Sequence, residues 1–193
     1  MLPIFGDAIH LLKSDISKLH IVTTVVSGLR PMIESYIRKW SIPVTLIEST
    51  GNKRAAYQGC DVALATSGTV TTELAAAGTP MVVGYKMSPL TIAVARRLVK
   101  APHMTLVNLI LKRRVVPEFL QELCTATSLA EAIRGLLLDC QVKRQQIYSL
   151  KTAVEALRGG EGDPSYRAAA VVQKILLNTK VNAHLPENQR KVL

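Results

Sequence analysis

The stretch "ATSGTVTTELAAAGTPMVV", residues 65–83, holds the residue types and spacing best suited to chemistry. An apolar run ends in the turn Ser67-Gly68-Thr69, and a helical pattern starts there. The first N–H groups of a helix lack intrahelical partners and carry roughly half a positive charge, so such a turn attracts phosphate. A plainer reading is that Ser67 or Thr69 only caps the helix, as hydroxyl residues commonly do. Glu73 weighs a little against it, although an acid there could also favour the helix dipole or be solvated on an outer face. A capping box puts its acid three residues after the cap, and for Ser67, Gly68 or Thr69 that place belongs to Val70, Thr71 or Thr72. A carboxylate one turn beyond a phosphate site has a ready use in accepting both hydroxyls of a ribose. The expected chemistry is therefore nucleotide binding.

The surrounding elements must form an edge at which this turn can act. Residues 2–19 show helical apolar spacing, "HIVTTVVS" (20–27) reads as a buried strand, and 30–40 reads as a second helix. Strands are expected at 43–48, 61–66 and 79–86, with a short polar-faced helix at 51–60 and a helix starting near Thr69. Gly78 and Pro80 mark that helix's end, Gly78 as its C-cap. A basic helix is expected at about 88–100, a fifth short strand at 103–108, and helices at 116–123 and 128–139, with further helices to about Leu177. Strands that are short apolar runs alternating with helices predict an α/β fold, a Rossmann-like doubly wound parallel sheet covered on both faces. Ligands of such sheets bind beyond the carboxyl ends of the strands, where "DVALAT" hands over to the Ser67 turn. One domain is expected over 1–178 and a polar tail over 179–193.

Composition narrows the partners. Twenty-four Lys and Arg against 14 Asp and Glu leave a formal charge of +10, which favours phosphate-bearing ligands or anionic lipid. Nucleic acid is disfavoured, because no recognition motif appears and aromatics make up only 4% of the chain. The four histidines are scattered and the three cysteines widely spaced, so neither a metal site nor a disulfide framework is expected. No apolar run approaches the ~20 residues of a membrane span, and no signal peptide opens the chain.

"SGTVTTELAAAGTPMVVGYKMSPLTIAVARRLVK" (67–100) with "VNLILKRRVVPEFLQE" (107–122) closely resembles the lipid-A-disaccharide synthases, over about residues 2–177. These are GT-B glycosyltransferases of family 19, with two facing Rossmann-like domains. The resemblance implies transfer of a diacylglucosamine from UDP-2,3-diacylglucosamine to 2,3-diacylglucosamine 1-phosphate, giving the lipid A disaccharide phosphate and UDP. It puts Ser67, Gly68 and Thr69 near the diphosphate and makes Glu73 the ribose acid. Asn108 matches a UDP-contacting asparagine, and Gln121 lies in the matching "VVPEFLQE". No cofactor or metal is implied.

Two departures from the family pattern matter. Leu111-Lys112 stand where the family has Ala-Gly, which would reshape the loop after Asn108. The family also has a first strand ending in Pro-Gly-Ser-Arg, and before it an N-terminal domain with the acceptor site and the proposed catalytic acid. This chain starts at the helix after that strand, so it is read as the donor-binding half, lacking its first strand and its catalytic residues, and inactive alone. The absent strand would lie between "HIVTTVVS" and "DVALAT". Arg96, Arg97, Lys100, Lys112 and Arg113 form a candidate membrane-facing basic set, against the alternative of a solvated face. The expected place of work is the cytoplasmic face of the bacterial inner membrane, with the N-terminal domain in cis and a homodimer as protein partners. Alternatives are another UDP-sugar enzyme of the same architecture (an epimerase or an N-acetylglucosaminyl transferase) and a non-catalytic nucleotide-binding module.

Overall fold

A computed structural model describes residues 1–48, 52–88, 92, 102–159 and 162–183. The expected basic helix at 88–100, with Arg96, Arg97 and Lys100, lies outside the described residues. The chain divides into two units, Met1–Val154 and Glu155–Leu193.

The first unit opens with helix α1 (Leu2–Lys13), then strand β1 (Ile21–Val25), α2 (Arg30–Ile37), β2 (Val44–Glu48) and α3 (Lys53–Gln58). There follow β3 (Ala63–Ala65), α4 (Thr69–Ala77), β4 (Met81–Tyr85), α5 (Leu106–Leu111), β5 (Glu118–Leu120) and α6 (Ala126–Leu138). Helix α7 (Cys140–Arg158) starts in this unit and its last turn belongs to the second, which also holds α8 (Pro164–Ala183). The domain boundary expected at 178 lies inside α8. In the second unit the Arg167 guanidinium donates to the carbonyls of Arg158 and Gly159.

All strand pairs are parallel, as the alternating pattern predicts, but they form two sheets, β1-β2 and β3-β4-β5. Among the described residues no ladder joins β1 to β3. The break falls between β1 and β3, the place expected for the family's first strand.

Strand β4 shows why the three-stranded sheet needs helices on both faces. Met81 and Val83 point into a core with Leu74, Ala75, Val107, Leu150 and Ala153, contributed by α4, α5 and α7, and with Val116 of the loop before β5. Val82 points the other way, against Ala8 and Leu12 of α1 and Leu129, Ile133 and Leu136 of α6. All three β4 residues are fully buried. Gln146 of α7 fastens that helix to the sheet: its side-chain oxygen accepts from the Met81 N–H at 2.7 Å, and its amide donates to the carbonyls of Met81 and Val115.

Two expected elements are different. Residues 103–108 are not a strand, because Thr105 caps α5 by accepting from the Asn108 N–H. The fifth strand comes later, at Glu118–Leu120, inside a stretch whose apolar spacing suggested a helix. Its pairing with Val83, Gly84 and Tyr85 overrides the local pattern.

Helix ends follow the residues available. Gly78 closes α4 with φ 75°, and the Thr79 and Gly78 N–H groups reach back to the carbonyls of Leu74 and Ala75. Lys112 closes α5 in the same left-handed conformation, φ 50° and ψ 32°, without the glycine that position favours. Opposite effects are expected at these two caps. Lys112→Gly should stabilise the chain and Gly78→Ala destabilise it, each by about 1 kcal/mol. Urea unfolding monitored by circular dichroism reads both.

Candidate functional site at the carboxyl edge of the sheet

Strand β3 ends at Ala65, and two residues later the chain turns into α4. Gly68 occupies the N-cap position with φ 149° and ψ −163°, a conformation open to glycine and strained for any other residue. No side chain caps the helix. Ser67 instead donates its hydroxyl to the Met104 carbonyl at 3.2 Å, and Thr71 donates to Gly68 O at 2.8 Å. The start of α4 thus faces outward, with Gly68 and Thr69 exposed. It can take an anion through its backbone N–H groups.

Glu73 lies one turn along on the exposed side of α4, while Thr71, Leu74 and Ala75 are buried. Its two carboxylate oxygens both lie 2.8 Å from the Lys53 ammonium, at the first position of α3. The hydrogen bond that Lys53 donates to Glu73 raises the Lys53 pKa above the ordinary lysine value. Lys53 also sits 6.0 Å over the ring of Tyr57.

A third group closes the edge. Glu118, register partner of Val83, shares its face of the sheet and is 9% exposed. Its carboxylate accepts from the Thr105 N–H at 2.6 Å and from the Met104 N–H at 3.1 Å. His103 Nδ1 lies 3.8 Å away. Through Met104, Glu118 holds the carbonyl that receives Ser67. Asn108, fully buried, donates to Val116 O at 2.8 Å and accepts from the Val115 and Val116 N–H groups at 2.8 and 2.9 Å. Its side chain therefore shapes the loop after α5. Gln121 directly follows β5 at the same carboxyl edge and adopts φ 50°, a left-handed conformation unusual for a non-glycine residue. Two strand spacings, about 10 Å, separate the β3 and β5 ends of this edge.

An uncapped helix start, an exposed acid one turn behind it and a third strand end thus share one edge. Comparison with known proteins gives the arrangement its family. A family profile described as lipid-A-disaccharide synthetase matches residues 1–172. The chain belongs to that family. It is 37% identical over 176 residues to the lipid-A-disaccharide synthase of Gluconobacter oxydans, covering 91% of this chain and 42% of that protein. The corresponding enzyme of Nitrobacter hamburgensis is 32% identical over 169 residues, and that of Rhodospirillum centenum 34% over 176. The chain spans less than half the length of these relatives, 42–44%.

The basic set is partly engaged within the fold. Arg113 donates to Ser149 Oγ at 3.0 Å and Arg114 to Glu118 O at 2.9 Å, with the Arg114 guanidinium 5.6 Å over Phe119. Lys112 is exposed. Among the described residues no group of three or more His, Cys, Asp or Glu converges as a metal site. No helix among them is long and apolar enough to cross a membrane.

Sequence reasoning missed Lys53 and Glu118. The latter carried a signal, a lone acid inside the apolar "VVPEFL". Removing it orphans two backbone donors, so Glu118→Leu should cost about 2–4 kcal/mol, and Glu118→Gln, which keeps one acceptor oxygen, about half as much. Amide exchange at Met104 and Thr105 should accelerate in both variants, more in the first.

Proposed function

We propose that this chain is the donor-binding half of a lipid-A-disaccharide synthase. It holds UDP-2,3-diacylglucosamine while the hexosyl group passes to 2,3-diacylglucosamine 1-phosphate. The observation that carries the reading is the uncapped start of α4 at Gly68 with Glu73 one turn behind it. In this proposal the diphosphate lies at Ser67, Gly68 and Thr69, and the ribose hydroxyls donate to the Glu73 carboxylate. Gln121 contributes from the β5 edge, and Asn108 frames the site through the 115–116 backbone. Hydrogen-bond donors and the helix dipole would stabilise the departing UDP, a task that needs no metal. Catalytic groups would come from an N-terminal half facing this one.

Partners follow the same proposal. Helix α8 exposes Val171, Val172 and Leu176, supporting a protein contact with the other half of the enzyme or with a second copy. The net charge of +10 and the exposed Lys112, with Arg96, Arg97 and Lys100, support work at the anionic cytoplasmic face of the inner membrane.

Three measurements test these statements. UDP should raise the melting temperature of the chain where ADP does not, and Glu73→Ala should weaken UDP binding by about 1–3 kcal/mol, the loss typical of a charged hydrogen-bonding partner. Unchanged affinity in that variant removes Glu73 from the site. Vesicles containing phosphatidylglycerol or cardiolipin should sediment the chain at low salt and release it at high salt. Failure to sediment at low salt ends the lipid-facing proposal.

A further inference from the structure

Lys53 occupies Glu73 in a particular way. One ammonium bridges both carboxylate oxygens, at 2.8 Å from each. A single donor atom equidistant from two carboxylate oxygens lies in the plane that bisects the line between them, sharing itself between both. The two hydroxyls of a ribose would approach a carboxylate from that same side, one to each oxygen. Lys53 and a ribose therefore claim the same space.

The pair is also built to exchange. The Lys53 side chain is 30% exposed and that of Glu73 42%, and ion pairs in water contribute little to stability. Displacement of the ammonium thus costs little. Lys53 need not go far. Glu73 lies four residues after Thr69, about 6 Å along the helix axis, and lysine carries its charge on a flexible four-carbon stem. An ammonium freed from Glu73 would have about that distance to cover to the start of α4, where a diphosphate would sit.

We infer that Lys53 changes partner when a nucleotide binds: the ribose displaces it from Glu73 and it then pairs with the diphosphate. The inference rests on the nucleotide reading given above. It assigns Lys53 two opposing effects, competition against the nucleoside and attraction for its phosphates. Before binding, the lysine also neutralises an acid that would otherwise repel an incoming diphosphate.

Nuclear magnetic resonance titrations of the chain and of Lys53→Met, each with UDP and with uridine, separate the two effects. Lys53→Met should bind uridine about 2- to 5-fold more tightly, the gain from removing an exposed ion-pair partner. Its preference for UDP over uridine should fall about 10-fold or more, the loss of one charged hydrogen bond. Lys53→Arg should retain the preference, and Lys53→Gln replaces the methionine variant should that one aggregate. An unchanged UDP-to-uridine preference overturns the inference while leaving the nucleotide site intact. If uridine binds too weakly to follow in either chain, UDP decides alone: a loss of about two-fold or more in Lys53→Met supports the exchange, and a smaller loss or none overturns it. Absence of UDP binding to the unmodified chain defeats the nucleotide reading itself, and this inference with it.

Discussion

Glu118 stands at the start of β5, and its buried carboxylate takes the N–H groups of both Met104 and Thr105. Burying a charge is unfavourable unless several donors meet it, so the loop at 103–105 is held where those donors face the acid. Other contacts depend on that position. Thr105 is placed to cap α5, Asn108 then reaches the 115–116 backbone, and the Met104 carbonyl is presented to Ser67. Glu118 thereby couples the β3–α4 turn to the third strand of the sheet without touching the expected ligand. Its contribution is geometric: it sets where the β3–α4 turn sits relative to Gln121.

The packing around β4 explains why this edge is firm. Parallel strands buried on both faces leave their backbones no recourse to water, so every donor must be matched within the protein. At Met81 the match comes from the Gln146 amide, which serves both the N–H and the C=O of one residue as a neighbouring strand would. Along β4 the side chains divide between the two helical layers, Met81 and Val83 on one and Val82 on the other. The β1-β2 pair has no ladder to this sheet among the described residues. The β3–α4 turn is nonetheless supported, since its strand pairs with β4 on the other side.

Much of this was legible from residue patterns. Short apolar runs between helical segments indicated parallel strands, and Gly78 before Pro80 indicated the end of α4. The Ser67-Gly68-Thr69 turn was legible because a strand end, a glycine and hydroxyl residues coincide there. What escaped depends on contacts distant in sequence. Residues 103–108 looked like a strand because His103 to Asn108 is mostly apolar or β-branched, yet Glu118 ten to fifteen residues on captures the backbone donors and leaves a helix start. Strand β5 was hidden for the complementary reason, its spacing being helical and its pairing with β4 remote. Lys53 drew no notice because a lysine at the start of a short polar helix is ordinary until Glu73, twenty residues away, is placed beside it. The Asn108 side chain likewise looked free for a ligand until its partners at 115 and 116 were known.

Exposure of the site bears on what such a half can achieve. Gly68, Thr69 and Glu73 all face solvent. Hydrogen bonds and ion pairs at an open edge work against water's dielectric, where they are weak. The same donors under a facing protein body lie in a medium of lower dielectric, and each attraction to a diphosphate grows. In the proposed reaction, stabilising the negative charge that develops on a departing UDP would require that change, because charge stabilisation in catalysis relies on fixed dipoles from which water is excluded. An open edge suits loading and release of a nucleotide, whereas chemistry calls for closure. The weak, solvent-exposed contact between Lys53 and Glu73 belongs to the open condition. On the proposed reading it would keep the acid's charge balanced while the site is empty and yield readily to a ligand whose gain increases as the cover closes.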